Sequence, residues 1–329
     1  MPFVPDTYLL EDVSLAVVPC AMALPRMLVE DSSAPQVEVS GLLLIAANID
    51  YDSAMPAPTA TPPRKFGRQL AAVRGADWKG FTPLPATRGE LASIEKLYRD
   101  LFGNDGLTLL EGTQVREQRF CEEAVRHKYL HIATHGFFAP SELKSALHDS
   151  EEQARSLSLS SSAASQPIGY PPGLLSGIAL SGANRDPEPD REDGILTASE
   201  VENLDLRGVQ LAVLSACETG LGEVAGGEGQ LGLQRAFQVA GAQTVVASLW
   251  PVSDTATRTL MERFYENLLG TKTQEEMPTL EALREAQLWM LREGQDRGLV
   301  RTDPPANAGK PQRPSPFYWA AFVLSGDWR

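Results

Sequence analysis

With 329 residues, 43% of them apolar, the chain is long enough to bury a sizeable core and too apolar to be disordered throughout. Its 29 basic and 43 acidic residues leave a net charge of −14, which opposes binding to nucleic acid or to an anionic membrane and favours a basic partner. No apolar run has bilayer length, the N-terminus lacks the build of a leader peptide, and three cysteines at unrelated spacings are no disulfide framework; a cytoplasmic protein with a free thiol is expected.

In chain order, "SLAVVP" reads as a short strand and "AMALPRML" as a small helix. "GLLLIAA" (41–47) is a continuous apolar run, the mark of a strand covered on both faces. Residues 50–86 carry several prolines and little periodicity, which predicts a long surface loop. The helix predicted over 87–102 opens with a capping box, Thr87 followed three residues later by Glu90. "LTLLEG" predicts a strand and "TQVREQRFCEEAVR" a helix with Cys121 packed on its middle turns. "KYLHIATHG" (128–136) predicts a strand ending in a glycine.

Composition then changes. Residues 139–193 hold a serine-rich patch and an acidic cluster, and only "GLLSGIALSG" (173–182) within them has strand character; a mobile surface insertion is expected for the rest. Order resumes with a short helix capped by Thr197 and Glu200, the strand "VQLAVLSA", and a helix ended by Gly241. The strand "AQTVVASLW", a helix closed by Gly270, the helix "MPTLEALREAQLWMLREG" and a last strand "FYWAAFVLSGD" follow. This alternation predicts an α/β fold, in one large domain or two small ones, with a mostly parallel central sheet and helices on both faces.

Function in such sheets gathers at the carboxyl ends of the strands. Two predicted strands end on reactive side chains, one on His135-Gly136 and the other on Cys217. If those strands are parallel neighbours, the imidazole can take the thiol proton and generate a thiolate nucleophile. The backbone N–H groups of Gly136 and Cys217 are the natural oxyanion donors. Alone, Cys217 would read as a small buried hydrophobe.

His127, His131 and His135 are spaced by four, but strand formers separate them, so a zinc site is not expected and His131 reads as a hydrogen-bonded core residue. The glycines between 220 and 229 lack the Gly-Lys-Ser/Thr of a phosphate loop; they read either as a loop that opens and closes over a substrate or as a plain connection. No cofactor or metal is implied. After "VVASLW" the chain leaves the sheet at the edge that carries the dyad, so Trp250, Ser253 and Asp254 can line the cleft. Glu218 beside the thiol is a second acid, while Asp254 can equally begin a helix.

"YLHIATHGFF" and the stretch from "VLSACETGLGEVAGGEGQLGLQRAF" to "FYENLL" together resemble the CHAT domain, a caspase- and separase-related family of cysteine peptidases. "PLPATRGEL", "DGILTASEV", "LREAQLWM" and "FYWAAFVLSGDW" extend the resemblance to residues 2–329. It implies a single caspase-like domain over 1–329 and a His-Cys dyad, which by motif is His135 and Cys217. The family's domain usually has a further helix and strand before the segment matching Pro2-Phe3, so this chain is expected to lack that element. Members often sit beside helical-repeat regions that regulate them, which makes such a region or another regulatory protein a candidate partner besides a protein substrate. Related separases and metacaspases prefer Arg or Lys before the cut, which agrees with an acidic cleft; a small or apolar residue at that position is the alternative. Two functions compete: a cysteine endopeptidase working through an acyl-thioester, and a catalytically silent interaction module of the same fold. Other acyl-transfer chemistry through the same thioester is a third reading.

Overall fold

The computed structural model describes residues 7–18, 24, 28, 37–54, 80–138, 172–174, 176–186, 191–215, 217–218, 228–250, 254–299 and 314–329. The described elements run in chain order as α1 (Leu9–Asp12), β1 (Ala16–Val17), β2 (Gly41–Ile49), α2 (Pro85–Phe102), β3 (Leu107–Gly112), α3 (Glu117–Ala124), β4 (His127–Ile132) and β5 (His135–Phe138). Then come β6 (Ser176–Ala179), β7 (Ile195–Thr197), α4 (Ala198–Val201), β8 (Leu211–Leu214), β9 (Cys217–Glu218), α5 (Glu228–Val239), β10 (Thr244–Ser248), α6 (Asp254–Leu269), α7 (Thr279–Glu293) and β11 (Phe322–Gly326). Short 3₁₀ turns at Pro172–Leu174 and Pro316–Tyr318 precede β6 and β11.

The central sheet has seven strands in the order β1-β11-β10-β8-β4-β2-β3, all neighbours parallel except β10 and β11. β2 shows why its apolar run is continuous. Leu44 and Ala46 enter one core layer while Leu43, Ile45 and Ala47 enter the other, as the two-residue period of a strand requires. The first layer is closed by α3 through Phe120 and Ala124 and by α5 through Leu233 and Phe237. The second is closed by α2 through Leu91 and Ile94, by α6 through Leu260 and Phe264, and by α7 through Leu283 and Met290. The α/β architecture with helices on both faces is therefore as read from the sequence.

Some details differ. The capping box assigned to Thr87 and Glu90 is absent, because α2 begins earlier, with Pro85 in its first turn, where a missing N–H costs nothing. Thr87 is instead a buried helical residue whose hydroxyl donates to the Leu84 carbonyl and accepts from the Asn48 N–H. The second box holds: the Thr197 hydroxyl caps the Glu200 N–H and the Glu200 carboxylate accepts from the Thr197 N–H. Cys121 is buried on α3 as expected. The loop read over 50–86 is anchored at both ends, since Tyr51 and Phe81 are buried; residues 55–79 lie outside those described. The helix read around "AMALPRML" also falls mostly outside them.

A second, four-stranded sheet, β7-β6-β5-β9, was not foreseen. It takes in β6, the segment given strand character inside 139–193. Residues 176–186 and 191–193 belong to the fold, whereas most of the stretch for which mobility was expected lies outside the described residues.

Candidate active site

The strand read over 128–136 is two strands. β4 ends at Ile132, paired across the central sheet with Leu214, the last residue of β8. The Ala133 N–H still donates to Ala46 in that sheet. Thr134 then turns away, its hydroxyl donating to the Ala179 carbonyl at the end of β6. Three residues past Ile132 and three past Leu214, the two chains pair again in the second sheet: His135 opposite Cys217 and Gly136 opposite Glu218, in parallel. Neighbouring strands lie about 4.8 Å apart. The two residues singled out from the strand ends are thus register partners. Gly136 is also paired with Ile178 of β6, so its backbone lies in the middle of the small sheet.

His135 is buried, and its surroundings fix its proton. Nε2 lies 2.6 Å from the Thr82 carbonyl oxygen. A carbonyl only accepts, so Nε2 carries the hydrogen, and in the neutral ring the lone pair is on Nδ1. Phe81 stacks on the imidazole with ring centroids 5.4 Å apart and planes 23° from parallel. Tyr51 approaches it at 5.2 Å. The Tyr51 hydroxyl lies 3.0 Å from Thr134 Oγ1 and hydrogen-bonds the His135 backbone amide. Because the single Thr134 proton goes to Ala179, a directed chain results: His135 N–H to Tyr51, Tyr51 O–H to Thr134, Thr134 O–H to the Ala179 carbonyl. Burial pushes the Tyr51 phenol up to about 12, so it remains a donor throughout ordinary pH.

Tyr51 reaches this position through a bulge. The register of β2 against β3 shifts between Ala47 and Ile49, and Asn48 between them has φ of +52°. Asparagine tolerates this left-handed region better than most residues. Its N–H bonds Thr87 and its side-chain amide donates to Glu111, which holds the bulge.

The other histidines have separate partners. His127 bonds the Glu123 carbonyl at 2.8 Å and Thr108 at 2.9 Å. His131 lies on the opposite layer, with Nδ1 3.1 Å from the Tyr265 hydroxyl and Nε2 3.0 Å from Glu90 Oε1, the latter pair close but off the hydrogen-bond line. His131 is thus the core residue expected. Among the described residues no three His, Cys, Asp or Glu side chains are grouped to hold a metal ion, and no helix is long and apolar enough to cross a membrane.

Below the small sheet, Glu117 of α3 accepts the Gly194 N–H at 2.7 Å. Burial, with Asp193, Glu200 and Glu192 nearby, holds its carboxyl well above the usual range.

Of the residues read as cleft-lining, Trp250 is half-buried two positions beyond β10, its indole N–H donating to Phe317 at 3.0 Å. Asp254 is the first residue of α6, the placement that its alternative reading required. Its side chain, those of Cys217 and Glu218, the whole of Ser253 and the glycine loop 219–227 lie outside the described residues. The partners of the imidazole, Thr82, Phe81 and Tyr51, were missed. The signal available was a tyrosine at the end of the β2 run and a Gly-Phe-Thr at the end of the proline-bearing stretch.

A family model described as the CHAT domain matches residues 4–327. The chain is also similar to tetratricopeptide repeat protein 28 of Mus musculus, 28% identical over 194 residues, and of Homo sapiens, 29% identical over 189 residues. Each match covers 57% of this chain and 7% of the relative, so the shared region is a small part of a much longer protein.

Proposed function

Since the chain belongs to the CHAT domain family, a caspase-related peptidase family, we propose that it is a cysteine endopeptidase working through His135 and Cys217. The observation that carries this reading is the register of the second sheet, in which His135 and Cys217 are directly paired on adjacent parallel strands. The hydrogen on Nε2, held by Thr82, leaves Nδ1 as the base. In the proposed reaction the thiol proton passes to Nδ1 and the sulfur attacks the scissile carbonyl, forming a tetrahedral intermediate. The donors proposed for its oxyanion are the N–H groups of Gly136 and Cys217, which must leave the β5–β9 ladder when substrate enters. The imidazolium gives its proton to the leaving amine as the C–N bond breaks, and water, deprotonated by the same imidazole, hydrolyses the acyl-thioester. The backbone carbonyl of Thr82 does the orienting that a carboxylate does in other triads, and a thiol, more acidic than a serine hydroxyl, asks less of that partner.

The substrate is a protein. An acidic side chain, Asp254 or Glu218, is the proposed selector of a basic residue before the cut. The relatives' printed name denotes tetratricopeptide repeats, and a helical-repeat region of that kind, or another regulatory protein, is the partner proposed here. The cytoplasm, where the thiol stays reduced, is the compartment that suits it.

The test is labelling by an electrophilic peptide probe and cleavage of a peptide library. Wild type should label and cleave; Cys217→Ala should do neither, and His135→Ala should lose cleavage while keeping its fold. Cleavage by purified Cys217→Ala protein would sink the assignment. Wild type that neither labels nor cleaves would favour the silent interaction module.

A further inference from the structure

We propose that Asn184 is a positioning residue for the imidazole of His135. The inference rests on the peptidase reading for its consequence in catalysis, and on geometry alone for the placement of the ring. Asn184 lies in the Ser-Gly-Ala-Asn-Arg segment that follows β6, to which the sequence assigned no role. Its side-chain amide closes on the peptide groups of Phe81. Oδ1 accepts the Phe81 N–H at 2.6 Å and Nδ2 donates to the Phe81 carbonyl at 2.9 Å. The second Nδ2 hydrogen goes to Asp52 Oδ1, also at 2.9 Å. Turning the amide over would set an oxygen against two acceptors, so the network admits one orientation.

This pairing makes one side chain act as a strand partner for residue 81, and the next carbonyl, that of Thr82, is the one that takes the Nε2 hydrogen. The approach leaves no room behind Phe81. A Cβ on Gly80 would meet Asn184 Oδ1 at 2.9 Å, and Gly80 has φ of +78°, where a side chain would be strained in any case. The backbone N–H of Asn184 donates to the Tyr51 carbonyl at 2.9 Å. Asn184 therefore ties together the residues that bear both rings against His135 and the peptide that leads into Thr82. Through Phe81 and Tyr51 it acts on the imidazole at one remove. Its contribution is to hold the hydrogen on Nε2 and the ring in place, which keeps the Nδ1 lone pair available.

Only four histidines occur in the chain, so the ring nitrogens of His135 can be assigned by comparison with His135→Gln in ¹⁵N-histidine NMR spectra. The experiment takes Cys217→Ala protein, with Asn184 intact, as Asn184→Ala or as Asn184→Asp. It also takes the same Asn184 variants in active protein for peptide cleavage. Asn184→Asp keeps the shape and the acceptor but loses both donated hydrogen bonds. With Asn184 intact, His135 should show the Nε2–H tautomer. Both variants should lose it to a mixture, and kcat should fall by about 10²-fold with KM little changed, the size expected for a misplaced catalytic group. An unchanged tautomer, or an Asp variant that matches wild type, would overturn the inference. So would loss of the folded state in both variants, since Asn184 would then serve the fold rather than the imidazole. Failure of the peptidase reading is seen separately, as wild type that neither labels nor cleaves, while the NMR spectra still decide for or against Asn184.

Discussion

Tyr51→Phe isolates one hydroxyl at the centre of the site. The ring that flanks His135 at 5.2 Å is retained, and only the hydrogen-bond chain is cut. Without the phenol oxygen the backbone N–H of His135, buried in the small sheet, loses its acceptor. A buried donor left unsatisfied costs about 1–3 kcal/mol. The entropy of unfolding, about 2.1 cal/mol/K per residue, makes that a fall of about 1–4 °C in the unfolding midpoint for a chain of this length. Thr134 keeps its bond to the Ala179 carbonyl, so the loss should concentrate at His135. Thermal unfolding reads the stability, and amide hydrogen exchange at His135 reads the site. Thr134→Val should destabilise as well, because Tyr51 then has no acceptor. The double variant should lose less than the sum, since both changes break one chain. Strict additivity, or an unchanged midpoint in Tyr51→Phe, would refute the directed chain.

Glu117→Gln keeps an acceptor for Gly194 but removes a carboxyl whose folded value is raised above 4.5 by burial. In the wild type the unfolded chain ionises first, so stability is fully present below about 4.5 and falls as pH rises toward the folded value. Urea midpoints from acid to neutral pH should show a shallower decline in the variant, and parallel declines would exclude the effect. Glu90→Ala strips the buried neighbour of His131 Nε2 and should cost about 1–3 kcal/mol, with His131→Phe partly relieving the loss in the double variant; an unrelieved loss in denaturant titrations would show that the two act separately. Among fluorogenic peptides ending in Arg, Leu or Asp, the Arg substrate should have the highest kcat/KM, and Asp254→Ala or Glu218→Ala should reduce its lead. Equal turnover of Arg and Leu peptides, or a preference that neither substitution weakens, would exclude the acidic cleft.

The central sheet was legible because its signals are local. An apolar run such as Leu42–Ala47 is a strand buried on two faces wherever it occurs, and the periodic helices between such runs leave few other arrangements. Errors fell where tertiary contacts overrode a local pattern. Thr87 and Glu90 have the spacing of a capping box, but Glu90 is drawn into the core by His131 and Thr87 by the Asn48 bulge. "YLHIATHG" has uniform strand propensity, so nothing in its residues marks the change of sheet at Ala133 and Thr134. That change depends on an acceptor at Ala179, 45 positions away.

The same division of scale runs through the site. Cys217 and His135 stand out because each follows a hydrophobic strand, and parallel strands deliver their ends to one edge. What fixes the proton on the imidazole is less local. The hydrogen on Nε2 is fixed by a carbonyl 53 residues earlier, and the peptide leading to that carbonyl is held by an amide 103 residues later. Backbone carbonyls have no residue type, so no motif can announce Thr82. An asparagine in a turn has many possible partners, so its own letter does not choose Phe81. The second sheet makes these separations short in space. β6 brings the Asn184 segment beside Tyr51, the Asn48 bulge aims Tyr51 inward, and β5 carries His135 between them. A lesion in any of these pieces should therefore register first in the tautomer and rotamer of His135, before the pairing of β5 with β9 is lost.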